Sequence, residues 1–292
     1  MINYISLLKS NPQYFRQFTC RELLFLSYDC PVKQTKLAKW SEYNYFYYVL
    51  SGQKALHTPR KSWLLTAGTL SLVKRGACLV EQFFGEPFCI VVFVLPDSFI
   101  SRFVVSNKEQ LPVINASSVK DDLVLPVKTN DMLHKFYESI LPYFTANTPP
   151  SEKLIELKFT ELLIHIVNNP ENVELITYMQ EVAAQKSVML EHVMEANFPY
   201  NLTLGEYATL CNRSLSSFKR DFQTIYKTTP GRWLLKKRLE RAEQLLTATG
   251  KPLPDVMLES GFENQAHFSK AFKAYFGCSP ANYKRTLLHD VA

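Results

Sequence analysis

The sequence lacks the short motifs that most enzymes depend on. It has no Gly-x-Ser-x-Gly nucleophile motif, no phosphate-binding loop and no dinucleotide fingerprint. A metal-dependent β-barrel enzyme would need a His-x-His pair and a glutamate, but the histidines are isolated: His57, His134, His165, His192, His267 and His289. A lone histidine is more often a surface or core residue than a metal ligand. We therefore expect neither an enzyme nor a bound metal or other cofactor.

Long apolar runs and paired cysteines are also missing. The longest apolar run, Phe88–Leu95, has eight residues, whereas a membrane span needs roughly 20. Met1–Lys9 lacks the basic start, apolar run and cleavage site of a secretory signal. The six cysteines are scattered without a Cys-x-x-Cys pair, which disfavours a zinc ribbon or a dense disulfide framework. We expect a cytoplasmic protein without a membrane partner.

Composition and charge point to a globular protein with a polyanionic partner. The 292 residues give room for two ordinary domains, and 47% of them are hydrophobic against 21% charged. The net charge of +6 is unevenly spread, since residues 213–241 hold nine Lys and Arg against only Asp221 and Glu240. Such a local excess fits nucleic acid.

An internal repeat makes this interpretation much stronger. Residues 216–222 (SSFKRDF) match residues 266–272 (AHFSKAF) at an offset of 50 residues, and an offset of 49 pairs Asn212 with Gly261. A repeat of this period indicates two copies of one supersecondary unit. Because Asn and Gly readily adopt the left-handed conformation that ends a helix, each copy predicts a helix, a tight turn and a second helix.

Capping residues and apolar spacing mark the helices of both copies. Thr203 and Glu206 form a capping box before the first helix. Ser214 and Asn264 can cap the second helix of each copy, which we predict over 214–226 and 264–276. The expected core stripes of these helices are Phe218, Phe222 and Ile225 in one copy and Phe268, Phe272 and Tyr275 in the other.

The opposite faces of these two helices carry small, polar and basic side chains, which suit the DNA major groove. The predicted DNA-contacting residues are Ser216, Lys219, Arg220, Gln223, Gln265, Ala266, His267, Ser269, Lys270 and Lys273. A connecting helix predicted over Gly231–Thr247 would span about 26 Å. This is of the order of one DNA turn, roughly 34 Å, so two successive major grooves could be read.

Residues 187–285 resemble the DNA-binding domain of the AraC/XylS transcription regulators. The matching residues are Leu204, Ala208, Ser214, Phe218, Lys219, Arg220, Phe222, Thr229, Pro230, Trp233, Arg238, Ala242, Leu245, Leu246, Gly261, Phe262, Gln265, Phe268, Ser269, Lys270, Phe272, Phe276, Gly277, Ser279, Pro280, Tyr283 and Lys284. The resemblance implies a regulator of transcription that binds double-stranded DNA, more often an activator than a repressor. It implies base-facing positions at Ser216, Lys219, Arg220, Ala266, His267 and Lys270. The alternative is a helical protein-interaction module without DNA specificity.

The first 170 residues predict an antiparallel barrel or sandwich followed by helices. Short β-like runs at Tyr45–Leu50, Trp63–Leu65, Leu70–Val73 and Phe88–Leu95 alternate with turn signals. Two helical patterns follow: Met132, Leu133, Phe136, Ile140 and Phe144, then Ile155, Phe159, Leu162, Leu163 and Ile166. This arrangement resembles the cupin-like regulatory domain of the same family, and the stretches at 50–52 and 72–76 are similar to its type III secretion activators.

The predicted fold class is therefore α+β. It comprises an N-terminal cupin-like β-barrel with helices over 1–170, a linker at 171–186, and a C-terminal all-α domain over 187–292. That second domain has two helix-turn-helix units joined by a linker helix.

A homodimer and an effector are the remaining expected partners. The candidate dimer face is Ile155, Phe159, Leu162 and Ile166, and packing against the chain's own barrel is the competing interpretation. The effector is either a protein partner or an apolar small molecule inside the barrel, with Trp63, Tyr45, Tyr47 and Phe46 as aromatic walls. Strand alternation puts Tyr45 and Tyr47 on one face and Phe46 on the other. A barrel packed solid with its own side chains is equally compatible with the pattern.

Overall fold

A computed structural model describes residues 1–12, 14–29, 35–112, 122–146, 148–184 and 189–289. The chain forms two compact units, Ile2–Ser187 and Val188–Ala292. Within the described ranges, no helix is long and apolar enough to span a bilayer.

Two β-sheets form the centre of the first unit. Their strands are β1 (Ile2–Asn3), β2 (Arg16–Cys20), β3 (Leu23–Asp29), β4 (Lys36–Ser41), β5 (Asn44–Ser51), β6 (Gln53–His57), β7 (Ser62–Thr66), β8 (Leu70–Val73), β9 (Gly76–Gln82), β10 (Cys89–Leu95) and β11 (Val124–Val127). One sheet has the order β1-β4-β9-β6-β7 and the other β11-β8-β5-β10-β3-β2. Strand β1 pairs with β4 in parallel, and the other pairings are antiparallel. This confirms the predicted β-rich N-terminal domain.

Helices cover the outer face of the six-stranded sheet. They are α1 (Tyr4–Ser10), α2 (Asp97–Ser106), α3 (Asp131–Ile140), α4 (Glu152–Val167) and α5 (Val173–Ala183), of which α2 to α5 supply this layer. Phe46 and Phe93 pack against these helices, whereas Tyr45 and Tyr47 pack between the two sheets. Because β10 is buried on both faces, its sequence is a continuous apolar run instead of an alternating one.

The predicted dimer face is wrong. Ile155, Phe159, Leu162 and Ile166 are all at most 4% exposed and belong to the core between the helices and the six-stranded sheet. Phe159 packs edge-on against Phe93, with ring centroids 4.9 Å apart. The same apolar spacing serves a core helix and an interface helix, so the pattern alone did not separate them.

Two further details of the first unit differ from expectation. The segment predicted as a linker, 171–186, contains the whole of α5, whose buried Leu175, Ile176 and Met179 join the core of the first unit. Met132 was placed in the apolar stripe of α3 but is 56% exposed, because Asn130 caps the helix and Leu133 is the first residue to turn inward.

The second unit is entirely helical over its described residues. It comprises α6 (Leu190–Asn197), α7 (Leu204–Leu210), α8 (Leu215–Tyr226), α9 (Pro230–Ala248), α10 (Leu253–Glu259), α11 (Gln265–Phe276) and α12 (Pro280–His289). The capping box of Thr203 and Glu206 forms, and Ser214 and Asn264 accept hydrogen bonds from the first turns of α8 and α11. Local side-chain chemistry therefore fixes where these helices begin.

The core stripes of α8 and α11 differ from prediction at their last member. Ile225 is 41% and Tyr275 48% exposed. Tyr226 instead packs on Phe222, and Phe276 packs on Phe272, each pair with ring centroids 4.5 Å apart. The stripe thus continues at the eighth residue after its start, because α9 crosses the end of α8 on that side and α12 crosses the end of α11.

Candidate nucleic-acid interface

Each helix-turn-helix unit turns through a residue in the left-handed region. Asn212 has φ 54° between α7 and α8, and Gly261 has φ 92° between α10 and α11. This confirms the conformation predicted from the pairing of these positions in the repeat. A tight turn of this kind sets the second helix across the first, which is the geometry of a DNA-reading unit.

The first helix predicted to read DNA, α8 (the first reading helix), divides into a buried and an exposed face. Phe218 and Phe222 are fully buried against α7 and α9, with Phe222 edge-on to Trp233 at 5.9 Å between centroids. The predicted contact residues Ser216, Lys219, Arg220 and Gln223 are all exposed on the outer side. The structure thus brings these four side chains to one accessible surface.

The second reading helix, α11, repeats the division. Phe268 and Phe272 are buried, and the exposed predicted residues are Gln265, Ala266, His267, Lys270 and Lys273. Ser269 is only partly exposed. The ring of His267 lies 5.7 Å from that of Phe262. This surface carries two lysines, Lys270 and Lys273, where that of α8 carries Lys219 and Arg220.

The connecting helix α9 joins the two helix-turn-helix motifs through specific contacts. Its 19 residues span about 28 Å. Arg238 donates from Nε to the Phe198 carbonyl and from Nη2 to the Tyr200 carbonyl, both at 2.9 Å. A Cβ added to Gly261 would lie 2.6 Å from the Pro199 carbonyl oxygen and 2.9 Å from Arg238 Nε. The turn of the second helix-turn-helix therefore lies directly against the segment that precedes α7, the first helix of the first helix-turn-helix.

These contacts reduce the number of basic residues in 213–241 that are available to a polyanion. Arg238 is one of the nine basic residues counted in 213–241, yet its guanidinium is taken up by backbone carbonyls. Lys237 pairs with Glu195 at 2.9 Å and lies over the Trp233 ring. The charge available to a polyanion is thus carried by fewer of the nine residues, among them the exposed Lys219 and Arg220 of α8 and Arg232 of α9.

Prediction from sequence missed an acid–base cluster beside the reading face. Arg213, in the turn before α8, donates from Nε to Asp221 Oδ2 at 3.1 Å, and Arg220 Nε lies 3.4 Å from Asp221 Oδ1. The sequence does contain a signal for this cluster, since Asp221 is the single acidic residue within α8. Only the fold shows that it lies between two arginines.

Burial raises the pKa of two tyrosines that lie behind this surface. Burial raises the pKa of Tyr207, so it stays a neutral phenol and donates to the Asn197 carbonyl at 2.9 Å. Burial raises the pKa of Tyr226 to about 12, and the carboxylates of Glu195 and Glu191 add to the shift. Both groups hold the scaffold of the first reading unit and stay uncharged at neutral pH.

The interior of the first unit contains two lysines that sequence reasoning missed. Lys39 and Lys54 are at most 4% exposed. The Lys39 ammonium lies 3.7 Å from the Tyr4 ring centroid, and that of Lys54 lies 4.2 Å from the Phe88 centroid. In the part of the chain that the structure describes, no cluster of His, Cys, Asp and Glu could hold a metal ion.

Comparison with known proteins agrees with this geometry. Residues 207–286 match the family described as helix-turn-helix domain, and residues 44–178 match the ExsA N-terminal regulatory domain. The chain therefore combines a helix-turn-helix domain with an ExsA-type N-terminal regulatory domain, as its resemblance to the AraC/XylS transcription regulators implied. The N-terminal match agrees with the similarity to type III secretion activators that the stretches at 50–52 and 72–76 predicted.

The sequences of several transcription regulators align with most of this chain. The virulence regulon transcriptional activator VirF of Yersinia enterocolitica is 24% identical over 240 residues, which is 82% of this chain and 88% of VirF. ExsA of Pseudomonas aeruginosa is 23% identical over 239 residues, 82% of this chain and 85% of ExsA. The structure of ToxT from Vibrio cholerae covers 90% of this chain and 98% of its own, with 12% identity and a TM-score of 0.37.

Proposed function

We propose that the chain is a transcription activator that reads two successive major grooves of DNA with α8 and α11. The observation that carries this proposal is the pair of equivalent helices whose exposed faces hold Ser216, Lys219, Arg220 and Gln223 on one and Gln265, Ala266, His267, Lys270 and Lys273 on the other. The similarity to VirF, a transcriptional activator, supports the choice of activation over repression. A helical module that binds only protein would not need two such faces joined by a helix whose length is of the order of one DNA turn.

Substitution at the reading faces tests the DNA contact. Arg220→Ala should cost roughly 1–3 kcal/mol of binding free energy if Arg220 contacts a guanine. Lys270→Ala should cost less if it meets only phosphate, and should lower the slope of log K against log salt by about one. The measurement is fluorescence anisotropy on sites selected from genomic DNA, across a salt titration.

Lys153→Ala is the matched control, because Lys153 is an exposed basic residue of the first unit. It should leave binding unchanged. If the Arg220→Ala/Lys270→Ala double variant binds like the unaltered chain, the assigned reading faces are wrong.

We also propose that the regulator acts as a homodimer on paired sites. The proposal rests on the length of DNA that one chain can cover. A single chain reaches about two major grooves, and specific DNA sites are commonly read by paired subunits. The full chain should sediment as a dimer and bind paired sites more tightly than residues 188–292 alone. Equal affinity of the fragment and the full chain for paired sites would contradict the dimer.

We infer that the effector is a protein partner and not an apolar small molecule inside the first unit. The space between the two sheets is filled with rings, and Tyr4, Tyr45 and Tyr47 lie successively 5.1 Å and 5.6 Å apart. The Lys39 ammonium is held among the same three rings. The aromatic surface is therefore already engaged by the chain itself.

Thermal unfolding with a metabolite panel tests this choice. A small molecule at a hundred times its dissociation constant should stabilise the folded chain by about 2.7 kcal/mol. We expect no metabolite to produce a shift of that size. A reproducible shift from one compound would reverse the inference.

A further inference from the structure

Asp221 occupies an unusual place on the first reading helix. Its carboxylate lies between the guanidinium groups of Arg213, 3.1 Å away, and Arg220, 3.4 Å away. Ser217 completes the cluster, since its hydroxyl lies 3.4 Å from Asp221 Oδ2 and 3.3 Å from Arg220 Nη2. An acid so close to a DNA-reading surface repels phosphate, so its presence there calls for a compensating role.

The cluster holds one edge of the Arg220 guanidinium. An arginine offers hydrogen-bond donors along two edges, one formed by Nε and Nη2 and the other by Nη1 and Nη2. Asp221 lies at Nε and Ser217 at Nη2, so both occupy the first edge. The Arg220 side chain is nonetheless 76% exposed. The second edge, which has the fork geometry that fits guanine O6 and N7, is the part left to face DNA.

We propose that Asp221 is a positioning residue that makes Arg220 selective for guanine, a role that rests on the proposed DNA-reading function. A free arginine on a long side chain binds any nearby phosphate as readily as a base. The Asp221 carboxylate restrains the guanidinium toward the groove floor and disfavours the phosphate alternative by charge. Arg213 anchors Asp221 from the turn, so the orientation of the reading side chain is tied to the turn itself.

The second reading helix has no equivalent device. At an offset of 50 residues, Lys270 replaces Arg220 and Ala271 replaces Asp221. A lysine is a compact point charge without the planar fork of arginine, and alanine supplies no restraining charge. Base selectivity should therefore be concentrated in the first helix-turn-helix unit, with the second contributing mainly affinity.

Selection from a randomised double-stranded DNA library, followed by sequencing of the bound fraction, tests the role of Asp221. The full chain is compared with Asp221→Asn, Asp221→Glu and Ser217→Ala. Glu195→Gln is the matched control, because Glu195 is a similarly exposed carboxylate, paired at 2.9 Å with Lys237, but lies on α6. Affinity for a non-specific duplex is measured across a salt titration for each protein.

In Asp221→Asn, the preference for guanine at one base pair should fall about tenfold, while non-specific affinity stays equal or rises. The salt slope should steepen by about one, because the released arginine gains a phosphate contact. Asp221→Glu should keep most of the preference, and Ser217→Ala should lose part of it. Glu195→Gln should match the unaltered chain.

Two outcomes overturn the role of Asp221 alone. One is an Asp221→Asn variant with unchanged base preferences. The other is an equal loss of affinity for all sequences in both Asp221→Asn and Asp221→Glu, which indicates a merely structural part. An unaltered chain that selects no sequence would instead overturn the proposed function itself.

Discussion

Gly261→Ala should destabilise the second unit by about 2–6 kcal/mol and abolish tight DNA binding. A side chain in this left-handed conformation costs on the order of 1–3 kcal/mol. The close approach of its Cβ to the Pro199 carbonyl oxygen, at 2.6 Å, adds overpacking of about 1–3 kcal/mol. Backbone cannot give way as a flexible side chain would, so the segment around Pro199 and the turn at Gly261, both in the second unit, must separate. The measurement combines urea unfolding with anisotropy on a selected site.

Two other glycines separate the contributions. Gly277 has φ 82°, close to that of Gly261, but a Cβ there meets nothing within 4 Å. Gly277→Ala should therefore show only the conformational cost. Gly250 has neither a left-handed φ nor a close neighbour, and Gly250→Ala should be nearly neutral. If Gly261→Ala is no worse than Gly277→Ala, the contact with Pro199 contributes nothing to stability.

Phe159→Ala should destabilise the first unit by about 3–5 kcal/mol, the usual range for a large aromatic removed from a core. Phe159 is fully buried and lies edge-on to Phe93 at 4.9 Å and to Phe99 at 5.8 Å between centroids. A Trp233→Phe background leaves Trp40 and Trp63, both in the first unit, as fluorescence reporters of urea unfolding.

Leu157→Ala is the control on the same helix. Leu157 is 52% exposed, so its truncation should change the unfolding free energy by less than about 0.5 kcal/mol. Comparable losses in the two variants would mean that α4 is not packed as described. A charged side chain at Phe159 would unfold this unit before it could report on association, so it cannot serve as a test of the dimer.

The second unit was predictable from sequence because its signals are local. Helices expected over 214–226 and 264–276 lie at Leu215–Tyr226 and Gln265–Phe276. Ser214 and Asn264 cap them through side-chain contacts three residues away, which require no knowledge of the fold. The exposure of Ile225 and Tyr275 was missed because it depends on the direction in which α9 or α12 crosses.

The first unit was harder to predict because its signals are non-local. Strands β4 and β6 went unrecognised, since each turns a lysine toward the space between the sheets and so lacks a regular apolar alternation. The tyrosine rings that accommodate Lys39 come from α1 and β5, distant in sequence from one another. The Arg213–Asp221–Arg220 cluster at the candidate site likewise depends on a turn bringing position 213 against the helix.

The contact between Gly261 and Pro199 has a consequence for promoter architecture. Because the two reading helices are held by α9 and by this contact, the distance between them is set by the protein and can change little. DNA turns once in about 10 base pairs, so five extra base pairs between the two recognised segments would carry the second to the opposite side of the duplex. Promoters under this regulator should therefore vary in sequence between the segments while keeping their number of base pairs constant.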